Sequence, residues 1–322
     1  MASVYWGDRT NINLLRMENN MPTVSVVLPT YNRESTIVRS VNSVLAQSYT
    51  DLELIVVDNG STDRTHELLT AIEDKRMQVV LYDKERGACA ARNAGIGMAS
   101  GQFIAFQDSD DEWDKEKLQI QMNAFDADVD CVFCNAYRIF EGKGYGAKMV
   151  PERIPEFPSR DLLQSHSLVS TQTLIVRAKC LSEEHFDTKM PRLQDYDLVI
   201  RLAEKYRFRY VNRLLVNVYT QPDSISTDPA KAISACRRIL EKYPQVMQNN
   251  RAAYKNMLIV IATTSRQMEE PDRDAEEKLI RLGMAPKNGL VHKMKTVCQL
   301  FIYGGINNVR QAFDIKRKLN KS

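Results

Sequence analysis

No part of this 322-residue chain is apolar for long. The longest candidate run, MLIVIA at 257–262, falls far short of the roughly 18 residues that a membrane span needs. The opening stretch, MASVYWGDRTNINLLRMENN, lacks the apolar centre of a secretory leader, so a cytoplasmic location is expected. Histidine is scarce: His66, His166, His185 and His292 stand apart, in no ligand pattern. There is no HExxH, no Ser-His-Asp spacing and no GxxxxGK[ST], which sets aside zinc proteases, serine hydrolases and phosphate-loop enzymes. GIGMASG at 95–101 has the wrong glycine spacing for a dinucleotide fingerprint, and it precedes a predicted strand instead of following one. The cysteines at 89, 131, 134, 180, 236 and 298 form no dense disulfide framework. Cys131 and Cys134 have CxxC spacing but lie on a predicted strand, where positions three apart face opposite ways. No second pair completes a zinc site, so core cysteines in a reducing compartment are expected. The net charge of +3 points to no particular partner, and nucleic acid is not expected as one.

What is present is alternation. TVSVVLP (23–29), LELIVVD (52–58), MQVVLYD (77–83) and QFIAFQD (102–108) read as strands. Between them, ESTIVRSVNSVLAQ, RTHELLTAIED and GACAARNAGIGMAS read as helices, with Ser61 or Thr62 as candidate N-cap of the second. Strands apolar on both faces, alternating with helices, predict an α/β fold whose mostly parallel sheet is flanked by helices. Further strand patterns at VDCVFCNAYRIF, STQTLIVR and RYVNRLLVNVY and a helix at QDYDLVIRLAEKY extend this unit. The expected division is an extension at 1–20, a catalytic domain at 21–227 and a helical region at 228–322.

Three strands end in polar groups: PTYN after the first, Asp58 after the second, QDSDD after the fourth. In parallel sheets such ends converge where ligands bind. The stretch AFQDSDDEWD is the most pointed of these. Asp108 and Asp110, two apart at a strand end, are expected to face the same way. Two such carboxylates repel unless a cation or proton intervenes, and Mg²⁺ or Mn²⁺ held with substrate phosphates suits them. The plainer alternative is acidic residues at a helix start, which is the expectation for Asp111, Glu112 and Asp114.

VSVVLPTYNRESTIVRSVNSVLAQSYTDLELIVVDNGSTDRT, then RGACAARNAGIGMASGQFIAFQDSDDEW, then LQDYDLVIRLA resembles the family 2 glycosyltransferases of the GT-A fold. The resemblance covers about residues 23–220, with several motifs in order. It implies an inverting, metal-dependent sugar transfer from a nucleotide-diphosphate sugar, with UDP expected and dTDP open. The acceptor it implies is a glycan or lipid-linked saccharide of a cell-surface polysaccharide. Thr30 and Tyr31 would line the nucleotide, with Tyr31 stacked on the base. Asp58 would accept from the base N3–H, and Arg92 would lie beside the base or the diphosphate. Asp108 would bind the ribose and assist the metal, Asp110 would ligate it, and Asp195 would be the general base. Each has a plain alternative: a loop aromatic for Tyr31, a turn-forming side chain for Asp58, a surface charge for Arg92, a helix-start charge for Asp195. The helix dipole at Asp195 is expected to favour its ionised form, whereas Asp197, two further on, is expected to be structural. The chain departs from the family's pattern at Gln194, where many relatives have Glu. It also has no histidine in VYTQPDSIST, where Gln221 or Asp223 would have to stand in. A nucleotidyltransferase would need a basic, Gly-rich loop after the first strand, which PTYNRE is not; a non-catalytic binder would not need Asp195.

From Lys287 on, eight basic residues accompany a single acid, Asp314. GLVHKMKTVCQLFIYG also has an amphipathic stripe. Two readings stand: a helix on an anionic membrane surface, or one packed on the catalytic domain. Deleting residues 290–322 and sedimenting the protein with anionic vesicles separates them. The membrane reading expects binding to be lost; the packing reading expects no change.

Overall fold

The computed structural model describes residues 23–140, 145–150, 154–165, 167–220 and 228–282. The N-terminal extension, Gln221, Asp223, His166 and the basic tail from Lys287 lie outside these.

The predicted alternation is realised as β1 (Val24–Thr30), α1 (Ile37–Leu45), β2 (Leu52–Asp58), α2 (Thr65–Thr70), β3 (Met77–Leu81), α3 (Ala88–Met98) and β4 (Phe103–Phe106). The chain continues through β5 (Glu112–Trp113), α4 (Lys117–Met122), β6 (Cys131–Phe140), β7 (Tyr145–Lys148), α5 (Arg160–Ser165), β8 (Leu174–Arg177), α6 (Gln194–Lys205) and β9 (Phe208–Tyr219). Four helices close the described chain: α7 (Pro229–Lys242), α8 (Pro244–Asn249), α9 (Arg251–Gln267) and α10 (Arg273–Arg281).

One nine-stranded sheet runs β3-β2-β1-β4-β8-β6-β9-β5, with β7 paired to β6. Its first four strands are parallel. β8 then enters antiparallel to both β4 and β6, so the full sheet is mixed. β6 and β9 run parallel, with register shifts at Cys134/Asn135 and Asn135/Ala136. Strand order reverses between β1 and β4, the place where α/β sheets open a crevice beyond the strand ends.

Both faces are covered, as the continuous apolar strands require. Val24, Val26 and Leu28 pack with Ile37, Val41 and Val44 of α1 on one face. Val27 packs on the other, with Ile96 of α3 and Leu198 and Leu202 of α6. Cys131 and Cys134 belong to these two opposite cores, as their spacing predicts. The five described cysteines are all buried.

The C-terminal helices form a third core against the outer side of α6, where Tyr196 and Ile200 meet Ala235, Ile239 and Met257. Asp197 pins that contact. It is fully buried, and it accepts from Arg201 at 2.9 Å, Lys242 at 2.7 Å and the Tyr243 hydroxyl at 2.8 Å. The structural role expected of Asp197 is therefore the observed one. Among the described residues, no helix is long and apolar enough to cross a membrane.

Two expectations are corrected. Asp111, Glu112 and Asp114 do not begin a helix: Glu112–Trp113 is a short strand paired with Asn217 and Val216, and α4 starts only at Lys117. The pairing available on β9 overrides the local acidic preference for a helix start. Nor do Ser61 and Thr62 cap α2: its N-cap position is Arg64, and just ahead of it Asp63 accepts from the Thr65 N–H at 2.9 Å.

The ARNAG glycine fixes how closely α3 lies on the sheet. A Cβ on Gly95 would sit 2.5 Å from Val27 Cγ1. Alanine is the better helix former by about 1 kcal/mol, yet overpacking costs about 1–3 kcal/mol. Gly95→Ala is expected to lower the urea midpoint, and adding Val27→Ala to recover part of the loss.

Candidate active site

The loops after β1 and β4 and the start of α6 enclose a cleft of about 670 Å³. Thr30, Tyr31, Arg92, Asp108, Asp110 and Asp195 all line it; Asp58 does not, although its neighbour Asn59 does.

The PTYN loop is fastened to the NGSTD loop. Asn32 takes a left-handed backbone (φ 49°), which asparagine tolerates. Its side-chain oxygen accepts from the Thr62 N–H at 2.8 Å, and its own N–H donates to Ser61 Oγ at 2.9 Å. Gly60 has φ 85°, and a Cβ there would lie 2.6 Å from the Lys84 backbone, so glycine is required. Asp58 is buried, with Oδ1 accepting from the Ser61 N–H at 3.0 Å. Tyr31 remains 36% exposed, its ring available to a planar ligand.

The acidic segment is a turn, not a strand. β4 stops at Phe106, and the Asp111 N–H donates to the Asp108 carbonyl at 3.1 Å. Asp108 and Asp110 therefore reach the same cleft through the turn, not through strand alternation. α1 holds this turn by its carbonyls: Ser40 Oγ donates to Asp108, Thr36 Oγ1 to Ser109 and Arg39 Nη2 to Asp110. Asp111 points inward, accepting from the Tyr219 N–H at 3.0 Å and Gln172 Nε2 at 2.7 Å. Burial, then repulsion from Asp110 and Asp108, pushes Asp111 well above the usual carboxylate range.

Three carboxylates repelling one another in a single turn are what a divalent cation relieves. Mg²⁺ needs only one or two protein carboxylates besides phosphate oxygens and water. Among the described residues no group of three His, Cys, Asp or Glu side chains forms a ready-made cage. Asp110 and Asp108 could hold such an ion together with phosphate oxygens and water.

Arg92 lies beneath this turn. Its Nη2 donates to Asp108 Oδ1 at 2.7 Å and its Nη1 to Gln194 Oε1 at 2.8 Å. Burial would lower its pKa, but the neighbouring Asp108 outweighs that and keeps it above the usual value. Gln194 is the first residue of α6 and Asp195 the second, so Arg92 ties the acidic turn to the helix carrying the candidate base. Leu193 precedes them in a left-handed backbone (φ 57°) that turns the chain into the helix and leaves Arg192 lining the cleft. Next in α3, the Asn93 side chain exchanges two hydrogen bonds with the Phe186 backbone, both 2.9 Å. Asp195 is pushed up, chiefly by burial; the Tyr196 N–H and Arg92 oppose the shift, and Asp108 adds to it. Burial thus outweighs the helix dipole that was expected to favour its charge.

Comparison with known proteins fits this geometry. The model for glycosyl transferase family 2 matches residues 25–185, half of the chain. The chain belongs to glycosyl transferase family 2. It is 30% identical over 199 residues to the amylovoran biosynthesis glycosyltransferase AmsB of Erwinia amylovora, covering 58% of this chain and 65% of that one. It is 43% identical over 100 residues to the UDP-Glc:alpha-D-GlcNAc-diphosphoundecaprenol beta-1,3-glucosyltransferase WfgD of Escherichia coli, covering 31% and 40%. The chain thus spans less than two thirds of either relative's length. Among solved structures, S. aureus TarS 1-349 in complex with UDP-GlcNAc superposes with a TM-score of 0.58 at 20% identity, covering 92% of both chains. That likeness establishes the GT-A fold.

Sequence reasoning did not single out Asp111, Gln172, Arg138 or Arg192 for the cleft; only the closure of β6 and β9 and the entry to α6 bring them there. The Arg92 clamp is testable by a double-mutant cycle. Arg92→Met leaves the half-buried Asp108 carboxylate without its partner and is expected to cost about 1–3 kcal/mol in denaturant unfolding. Adding Asp108→Asn is expected to restore part of that.

Proposed function

We propose that this family 2 chain transfers a sugar, with inversion, from a nucleoside-diphosphate sugar to a hydroxyl of a saccharide acceptor in surface-polysaccharide assembly. UDP is the proposed carrier, a glycan or lipid-linked saccharide the proposed acceptor, and the cytoplasm the proposed setting. The observation that carries this reading is one cleft holding Asp108 and Asp110 on one wall and Asp195 on the other, joined through Arg92 and Gln194. The names of AmsB and WfgD support a role in glycan assembly, and the UDP-GlcNAc held by TarS supports the donor class.

Tyr31 offers its ring face to the base. Asp58 reads the base N3–H through Oδ2, since Oδ1 is engaged by Ser61. Asp110 and Asp108 would hold a divalent ion, Mg²⁺ or Mn²⁺, and that ion would supply Lewis-acid stabilisation of the departing diphosphate. Asp195 accepts the proton of the acceptor hydroxyl as its oxygen bonds to the anomeric carbon. The bond from that carbon to the diphosphate oxygen breaks in the same displacement, and the nucleoside diphosphate leaves. One base and one attack from the opposite face give inversion.

A base must be ionised to act. With its pKa raised by burial, Asp195 is expected to give an acid limb in kcat above the usual carboxylate range, activity falling as pH falls through it. Nucleoside-diphosphate release from a panel of nucleotide sugars with Mn²⁺ or Mg²⁺ measures this. Asp195→Asn is expected to keep nucleotide binding and lose about 10²–10⁴-fold in transfer. Asp110→Ala is expected to weaken the divalent-ion dependence. Normal transfer by Asp195→Asn would remove Asp195 from the mechanism.

A further inference from the structure

The helix that carries Asp195 begins without a side-chain cap. Leu193 stands at its N-cap position in the left-handed backbone and offers no side-chain acceptor. The first N–H groups of a helix have no partner within it, and such ends fray unless something else holds them. Two bonds are made locally. Asp195 Oδ1 accepts from the Tyr196 N–H at 2.8 Å, and the Asp197 N–H donates to the Leu193 carbonyl at 2.9 Å. The first of these aims the Asp195 carboxylate, so the aim is only as steady as the turn. Contacts from elsewhere in the chain must steady it. On the cleft side Arg92 holds Gln194. On the outer side the fixed point is Asp197, and its carboxylate is held from the C-terminal helices.

Lys242 is the last residue of α7, where a helix C-terminus favours a cation. Its Nζ donates to Asp197 Oδ1 at 2.7 Å and to Asp187 Oδ2 at 3.0 Å. It therefore joins two segments that both serve the cleft. Asp187 follows Phe186, whose backbone Asn93 grips and whose ring centre lies 5.4 Å from the Arg92 guanidinium. Asp197 closes the first turn around Asp195. One ammonium thus ties the seat of Arg92 to the start of α6 from behind. Arg238 reinforces the Asp187 end at 2.8 Å, and the Tyr243 hydroxyl the Asp197 end at 2.8 Å. Asp197 is fully buried. A carboxylate so placed that loses its ammonium shifts its surroundings or draws in water, because an uncompensated charge in a dry core is costly.

We infer that Lys242, from the C-terminal helical region, is a positioning residue for transfer: through Asp197 and Asp187 it holds the first turn of α6 so that the Asp195 carboxylate meets the acceptor hydroxyl. Its catalytic consequence rests on the transferase reading of the cleft; its hold on the turn does not. Lys242 is not among the residues that line the cleft, so nucleotide and ion bind without it. The titratable and charged groups that face Asp195 are Arg92 and Cys89 of α3, Asp108 of the acidic turn and Arg138 of β6. A substitution at Lys242 leaves all four in place. Any change in how Asp195 titrates then comes from a looser, wetter setting and not from a lost neighbour.

The test compares Lys242→Met and Lys242→Arg with a control in the same helices, Asp272→Ala, which removes the N-cap of α10 and the partner of Arg237. Each full-length variant is assayed for nucleoside-diphosphate release across pH, counted per UDP-binding molecule. Lys242→Met is expected to lower kcat about 10–100-fold, the scale of a misplacement of about 1 Å, with the UDP and Mn²⁺ dissociation constants unchanged. Its acid limb is expected to move to lower pH, because water reaching Asp195 undoes the rise that burial causes. Lys242→Arg is expected to recover most of the rate, and Asp272→Ala to leave both rate and limb where they were. Should Lys242→Met not fold, Tyr243→Phe removes a single donor from Asp197 and is expected to give the same changes at smaller size. Hydrogen exchange at the Tyr196 and Asp197 amides is expected to quicken in Lys242→Met and not in Asp272→Ala. An unchanged kcat in Lys242→Met, a lowered one with the acid limb unmoved, or an equal loss in Asp272→Ala overturns the inference. If even the unaltered chain releases no nucleoside diphosphate, the transferase reading fails instead. The exchange rates then decide alone: unchanged protection of those two amides overturns the hold by Lys242, and faster exchange upholds it.

Discussion

The Arg92 guanidinium is the junction on which the cleft depends. It is almost fully buried, and it is stable there because one nitrogen holds the Asp108 carboxylate and another the Gln194 amide. Those two partners belong to segments more than eighty residues apart, one an acidic turn and the other the first turn of a helix. A lysine could neutralise Asp108 but could not grip both, because an ammonium lacks the rigid fork. The distance between the candidate metal carboxylates and the candidate base is thus set by one planar side chain.

Other contacts exist to keep that junction in place. Gly95 lets α3 lie against β1, which fixes the height of Arg92. Asn93, one residue on, grips Phe186 and so steers the chain towards α6. From α1, Thr36, Arg39 and Ser40 take the carbonyls of the acidic turn, leaving its carboxylates to the cleft and the core. On the far side of α6, Asp197 binds Lys242 and Tyr243, so the C-terminal helices brace the helix that carries Asp195. Consecutive acidic positions on one helix therefore serve opposite sides: Asp195 the cleft, Asp197 the brace.

Much of this was legible in the chain alone, for physical reasons. Strands such as VVLP and LIVV are apolar on both faces, which only a covered sheet explains. The polar residues at their ends converge because parallel neighbours all point one way. Asp195, close behind a predicted helix start, could be placed before its surroundings were seen. The illegible parts arise from long-range pairing. Asp111 looks like its neighbours in sequence; only the arrival of Tyr219 and Gln172, far along the chain, makes it a buried anchor. The antiparallel entry of β8 is hidden because an apolar strand carries no sign of its direction. The Asp195 shift was misjudged because a helix dipole is a local property, whereas burial belongs to the completed fold.

Trp113 stands three residues beyond Asp110, on the short strand that replaces the expected helix start. The Lys117 ammonium sits 3.8 Å from its ring centre, and burial pulls that ammonium down to about 8. The chain contains one other tryptophan, Trp6. Indole emission is sensitive to a charge held against the ring. The acidic turn consequently has an indole built next to it whose emission reports on the ammonium held against its ring.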